Sequence, residues 1–264
     1  MRWGELAFRA FVAALVFFLF APVMVVIVAS FTASDFITFP PGPLSFRWYE
    51  KVLGEPEFIV PLWNSLRLAA AATILGSLLA VPAAVALVRG RFPGRSAIET
   101  FLLSPLSLPT IILAVGLLFF SARIGVSESR VGLVAGHVVV TVPYILRSLV
   151  SVYARANRET EEAAAVLGAS PVGVLWHVTL PMLRPGLIAG TIFAFLISFD
   201  EVAVALLMTT SETTTLPISI LSYLVYNYDP SIAAISTIQI ALVILVLLVL
   251  ERLVGLRTVM FTAR

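Results

Sequence analysis

Charged residues along this 264-residue chain are spaced so widely that the gaps between them outline its elements. Everything between Arg9 and Asp35 is uncharged, as are Leu68–Val88, Thr100–Ala122 and Pro230–Leu250. Each run approaches or exceeds the roughly 20 apolar residues that a helix needs to cross a bilayer core. Two shorter runs give two further spans. Val131–Leu146 continues through Arg147 to about Val152, and Pro185–Phe199 continues past Asp200 and Glu201 as Val202–Thr210. The pattern therefore predicts an all-α membrane protein of six transmembrane helices. They lie at about 9–31, 66–88, 100–122, 131–152, 185–210 and 230–250, in a single transmembrane domain covering 1–264. The first apolar core is longer than the 7–15 residues of a secretory h-region, so it reads as an uncleaved span.

An even number of spans puts both termini on one side, and the loop charges say which. Arg2, Arg9, Arg89, Arg91, Arg95, Arg147, Arg155, Arg158, Arg184, Arg252, Arg257 and Arg264 fall on one face. Arg47, Lys51, Arg67, Arg123 and Arg130 fall on the other. The richer face is expected to be cytoplasmic, with both termini there. The longest connections are then Phe31–Ser65 outside and a cytoplasmic segment at 155–184.

Composition narrows the function. Sixty per cent of the residues are apolar and 12% are charged, against about 25% charged in an average soluble domain. Mean hydropathy is +1.04. These values exclude a disordered chain, a nucleic-acid binder and an ordinary cytosolic enzyme. Cysteine is absent, and only two histidines occur, His137 and His177. No thiolate nucleophile, Cys/His metal set or catalytic constellation is expected. The single lysine, Lys51, is followed by Val52, so the chain holds no Gly-rich loop ending in Lys-Ser/Thr for nucleotide phosphates.

The 155–184 segment carries the clearest local design. Glu159 to Leu167 are helix formers with acids in the first turn, where the macrodipole favours them. Gly168 fits the left-handed residue that ends a helix. Ser170 and Pro171 fit the N-cap and first position of a second, short helix. The product is a helix–Gly–helix hairpin ending at Leu180-Pro181. Alone, it reads either as a well-capped loop between spans or as a knob on which a partner docks.

Its spacing resembles a known family. Glu162-Ala163-Ala164, then Gly168, then Val178-Thr179-Leu180-Pro181 is similar to the E-A-A…G…I-x-L-P signature of permease subunits of binding-protein-dependent ABC importers. The departure is Val178 in place of Ile. The entry Trp63-Asn64-Ser65-Leu66 also looks like these permeases. Ile197-Ser198-Phe199-Asp200-Glu201 with Thr214-Thr215-Leu216-Pro217 looks like the second permease subunit of the polyamine (spermidine/putrescine) subgroup.

The resemblance implies a type I importer permease in a bacterial inner membrane. Glu162, Ala163, Ala164 and Gly168 would form a coupling contact with a separate ATP-binding subunit present in two copies, and Leu180 and Pro181 would set the hairpin's exit. ATP and Mg would be held by that ATPase, leaving this chain no cofactor and no catalysis. The other implied partners are a second, homologous permease chain and a periplasmic or lipid-anchored substrate-binding protein. Importers of aminoethylphosphonate, opines or other small amines look similar.

Asp200 and Glu201 stand apart, because adjacent carboxylates inside a span are costly unless they face a cavity or a partner. One of them lining a path for a cationic solute such as a polyamine is one reading. An ion pair with an Arg, a capped helix break or a wet outer rim are the others. Pro82, Pro105, Pro109 and Pro143 read as static kinks or hinges. Trp48, Tyr49, Trp63, Tyr223, Tyr226 and Tyr228 read mostly as interface anchors. His137 reads as a packing residue and His177 as a surface one. Outside this family, an ion-gradient-driven transporter would need a core acid such as Asp200 and an internal repeat, and no repeat is visible.

Overall fold

The computed structural model describes residues 2–254. Arg257 and Arg264, counted above with the Arg-rich face, lie outside the described residues. In chain order the helices are α1 (Arg2–Ala29), α2 (Arg47–Gly54), α3 (Pro56–Arg89), α4 (Arg95–Leu103), α5 (Thr110–Arg123), α6 (Arg130–Tyr153), α7 (Arg158–Val166), α8 (Pro171–Val174), α9 (Leu180–Phe199), α10 (Ala203–Met208), α11 (Leu216–Tyr226) and α12 (Ser231–Val254). A 3₁₀ turn, Ser104–Ser107, follows α4, and a π turn, Leu175–Thr179, joins α8 to α9. Among the described residues the chain is all-α, apart from an isolated antiparallel bridge between Thr32 and Leu44.

Five helices are long and apolar enough to cross a membrane: Trp3–Ala29, Pro56–Arg89, Arg130–Tyr153, Pro171–Phe199 and Ser231–Val249. A sixth crossing exists if Arg95–Ser107 and Thr110–Arg123 act as one broken span, and these two are bent by 111°. The run 100–122 is thus uncharged throughout but not straight. Leu108 is extended (φ −91°, ψ 141°) and Pro109 follows it. A proline disfavours helical backbone in the residue before it, which accounts for the corner. By contrast, α3 and α6 run through Pro82 and Pro143 without ending. The run 185–210 also breaks, with α9 stopping at Phe199 and α10 starting at Ala203.

The chain divides into two compact units, residues 2–60 with 219–244 and residues 61–218 with 245–254. In the first, Phe31 packs against the rings of Phe46 and Tyr49 at 5.4 and 5.1 Å. The chain's one lysine, Lys51, pairs with Asp229 at 2.9 Å and donates to the Tyr223 hydroxyl at 3.1 Å. Tyr223 itself donates to Asp229 at 2.8 Å and stacks edge-on against the buried Phe58. Trp48 and Tyr223 are therefore buried participants in packing, whereas Tyr226 and Tyr228 are exposed. Along α1 an almost unbroken apolar surface is exposed from Trp3 to Phe20, which suits a helix bathed in lipid.

The second unit has two apolar clusters. Ala80, Ala84 and Leu87 of α3 meet Ile145, Leu146, Leu149 and Tyr153 of α6 and Leu183 and Ala194 of α9. Leu68 of α3 joins Ala114 of α5, Leu133 and Val140 of α6, and Val204 and Met208 of α10. Helices α6 and α9 approach closely because Gly186 and Gly190 present no side chain. A Cβ on Gly190 would sit 2.8 Å from Ile145 Cα, and one on Gly186 would sit 3.0 Å from the Ser148 carbonyl. Small residues four apart allow such backbone contact between membrane helices.

Candidate functional site

The 155–184 hairpin forms by local rules. Asn157 caps α7, its side chain accepting from the Glu159 amide at 3.0 Å. At the other end Gly168 adopts φ +92°. The amide of Gly168 donates to the Ala165 carbonyl and that of Ala169 to the Ala164 carbonyl, at 3.0 and 3.1 Å. This pair of bonds is the Schellman closure, and its left-handed residue favours glycine. Ser170 then caps α8 by accepting from Gly173 at 3.1 Å, with Pro171 in the first helical position.

The hairpin does not end at Leu180-Pro181. Helix continues from Pro171 to Phe199 through the π turn, with Pro181 in the first turn of α9. A proline cannot donate to the carbonyl four residues back and its ring crowds that carbonyl. The widened π turn immediately before Pro181 absorbs this. Leu180 is half-buried and Pro181 is exposed.

One largely enclosed carboxylate holds the hairpin down, and it is Glu161. Its Oε2 accepts from Arg89 Nε at 2.7 Å. Its Oε1 accepts from the Tyr153 hydroxyl and from the Thr179 hydroxyl, both at 2.6 Å. Arg89 also donates to the Ala156 carbonyl at 3.1 Å and lies 4.3 Å over the Tyr153 ring. A single side chain thus ties the ends of α3 and α6, α7 and the π turn together. The Glu161 and Arg89 side chains are only 12% and 21% exposed. Burial alone would raise the Glu161 carboxyl; hydrogen bonds from Thr179, Tyr153 and Arg89 outweigh it and hold the carboxyl below its ordinary value. The same residues line a cavity of about 460 Å³ together with Glu162, Ala165 and Leu175.

Glu162, by contrast, points outward and pairs with Arg158 one turn back at 2.8 Å, with both side chains more than half exposed. Ala163 and Gly168 are exposed and Ala164 is half-buried. Beside them the hairpin exposes four large apolar side chains, Val166, Leu167, Val172 and Trp176, between 63% and 88%. His177 closes on the Gly173 carbonyl at 3.0 Å. Glu162, Ala163, Ala164 and Gly168 therefore sit on a largely exposed, apolar knob anchored from beneath by Glu161. The sequence reading missed that anchor because the signature singles out the neighbouring Glu162. Two adjacent acids about 100° apart on a helix were the signal that one of them faces inward.

Asp200 and Glu201 occupy the break between α9 and α10. Asp200 ends α9 and is exposed. Glu201 turns its Oε1 back to accept from the amides of Ala203 and Val204 at 2.8 and 3.2 Å. Its carboxylate thereby satisfies the first donors of α10. A few residues away, His137 and Ser198 form a buried pair, Nδ1 to Oγ at 2.9 Å.

Two further sequence fragments meet in space. Asn64 donates its amide to the carbonyls of Glu212 and Thr214, each at 3.0 Å. Ser65 accepts from the Leu216 amide at 2.8 Å. The Asn64-Ser65 pair on α3 thus holds the segment Thr214-Thr215 and the start of α11 at Leu216. No described cluster of three or more His, Asp or Glu residues could hold a metal ion.

Known proteins resemble the chain in sequence and in fold. Residues 72–259 match the family described as binding-protein-dependent transport system inner membrane component. The putrescine transport system permease protein PotI of Escherichia coli (strain K12) is 31% identical over 228 residues, spanning 84% of this chain and 81% of that protein. The spermidine/putrescine transport system permease protein PotC of Haemophilus influenzae is 30% identical over 249 residues, 93% of this chain and 95% of that one. In fold, the chain resembles one in the crystal structure of a bacterial ABC transporter that imports the acidic polysaccharide alginate. The TM-score is 0.77 at 18% identity, covering 95% of this chain and 96% of that one.

Proposed function

The chain belongs to the binding-protein-dependent transport system inner membrane component family, and from that premise we propose that it imports a polyamine or a closely related small amine. Membership makes it a permease subunit of an ABC importer, a multi-pass membrane transport component that works with a substrate-binding protein and a second permease. The substrate is read from its likeness to PotI and PotC, whose names carry putrescine and spermidine.

In this reading the membrane is the bacterial inner membrane and ATP is hydrolysed by a separate subunit. The observation that carries the coupling role is the exposed knob of Val166, Leu167, Val172 and Trp176 beside Glu162, Ala163, Ala164 and Gly168. An apolar surface of this kind on a soluble-facing hairpin is costly unless a partner covers it. Fixed to α3 and α6 through Glu161, it transmits a push from that partner into the spans rather than yielding locally. Leu180 and Pro181 lie where the hairpin's helix continues into α9, on the line of that push. Asp200, exposed at the break between α9 and α10, is where a cationic solute would meet a carboxylate, while Glu201 caps α10.

Reconstitution in proteoliposomes with the cognate ATPase, second permease and binding protein tests this. Uptake of radiolabelled putrescine is expected only with ATP, and excess spermidine is expected to compete. Uptake that ignores ATP and follows the proton gradient overturns the importer mechanism, and ATP-driven uptake of other solutes but not amines overturns the substrate.

A further inference from the structure

A second cavity, of about 200 Å³, lies away from the hairpin, lined by Asn64, Arg67, Leu68 and Ala71 of α3, Arg130, Leu133 and Val134 of α6, and Thr213. Its lining is part cationic and part aliphatic. Leu68, Ala71, Leu133 and Val134 make the wall, and the two arginines bring two positive charges to it. Neither Arg67 nor Arg130 pairs with a carboxylate among the described residues. Asn64 has already committed its amide to the Glu212 and Thr214 carbonyls. The Thr213 hydroxyl is likewise engaged with Thr210. Arg130 is also the first residue of α6, so the positive end of a 24-residue helix adds to the field.

Two unpaired guanidinium groups on one small cavity repel each other and would be stabilised by an anion between them. Arginine presents a planar fork of donors suited to bidentate contact with phosphate or carboxylate. A water claims about 30 Å³ of liquid volume, so the cavity has room for one tetrahedral oxyanion and the atoms that join it to an apolar body. The pairing of a cationic rim with an aliphatic wall fits an amphiphile. An anionic phospholipid carries such a phosphate on an apolar body.

We propose that the Arg67–Arg130 pocket binds an oxyanion, and specifically the phosphate of an anionic amphiphile. The site is separate from the hairpin and does not depend on which solute the importer carries. It places an anion where α3 and α6 meet the 209–215 segment, which Asn64 already holds.

The test uses the complete importer complex in nanodiscs of phosphatidylglycerol mixed with phosphatidylcholine. Native mass spectrometry reads retained lipid, and a titration with inorganic phosphate forms the soluble arm. Wild-type complex is expected to retain phosphatidylglycerol over phosphatidylcholine, with retention about tenfold lower in R67Q/R130Q. R123Q, a change at an exposed arginine outside the pocket, serves as the control and is expected to match wild type. If phosphate displaces the lipid, or binds with the same arginine dependence in its absence, the pocket takes the oxyanion from solution as well. R67K and R130K keep the charge without the fork and give an intermediate retention if the double variant does not assemble. Equal retention in wild type and arginine variants, with no arginine-dependent phosphate binding, overturns the proposal.

Discussion

At the scale of single residues, the adjacent acids Glu161 and Glu162 do opposite jobs, and sequence spacing singles out the exposed one. Glu162 belongs to the signature and is exposed; Glu161 does not and is buried among Arg89, Tyr153 and Thr179. The signature spacing singles out Glu162, whereas the anchor depends on residues 72 and 18 positions away in the chain, so motif spacing does not identify it. Removing one partner of a buried ion pair costs about 3–5 kcal/mol, less where solvent reaches the pair. Glu161→Gln is therefore expected to lower the thermal stability of the purified complex by about 2–3 kcal/mol and to weaken ATP-driven uptake more than substrate binding. The pH dependence follows from the same contacts. Because folding depresses the Glu161 carboxyl below its ordinary 4.5, its contribution is complete above that value and fades as the pH falls through the folded-state value. Thermal melts below about pH 5 should show an acid-side loss of stability that is shallower in Glu161→Gln. An equal acid limb in both proteins would mean that other carboxylates dominate.

Whole elements were legible where local chemistry specifies them. The cap at Ser170, the stop at Gly168 and the existence of the long apolar helices all follow from residues within a turn or two of the feature. The π turn before Pro181 and the 111° size of the corner at Leu108-Pro109 were not, because a gap between charges measures how apolar a run is and not its direction; Pro109 marked only a kink or hinge, and the break at 200–202 was one of several readings that the two acids left open. Two glycines separate these kinds of information experimentally. At Gly168 a Cβ meets nothing within 4 Å, so Gly168→Ala adds only left-handed backbone strain of about 1–2 kcal/mol. It should speed amide exchange across 158–175 and reduce ATPase co-purification while the membrane portion remains intact. At Gly190 a Cβ meets the Ile145 backbone at 2.8 Å, and backbone cannot rotate away. Gly190→Val is expected to separate α6 from α9 and sharply reduce recovery of folded permease, as measured by monodisperse yield after extraction. Equal yields for the two variants would show that the α6–α9 contact is more forgiving than its geometry implies.

At the scale of the molecule, what the sequence could not supply is which distant segments meet. Trp63-Asn64-Ser65-Leu66 and Thr214-Thr215-Leu216-Pro217 each drew notice as separate fragments, and the structure joins them through bonds spanning about 150 residues. Side of the membrane is a different kind of property, since it depends on the number of crossings, and here that number turns on one element. If the pair bent by 111° crosses the bilayer, the chain has six spans and the loop after α3 lies on the same side as the hairpin. If the pair dips in and returns, Arg91 and the hairpin lie on opposite sides. The Arg-rich count favours crossing, because it gathers Arg89, Arg91 and Arg95 with Arg155, Arg158 and Arg184. The natural absence of cysteine makes the test clean. Single cysteines at Arg91, Ile124 and Leu167, all exposed positions, can be labelled with a membrane-impermeant maleimide in intact spheroplasts and in inverted vesicles. A crossing pair predicts that the variants at Arg91 and Leu167 label together in inverted vesicles and that the variant at Ile124 labels in spheroplasts. A re-entrant pair instead groups Arg91 with Ile124 against Leu167, and that grouping would leave five spans and move the signature hairpin to the opposite face from the loop that follows α3.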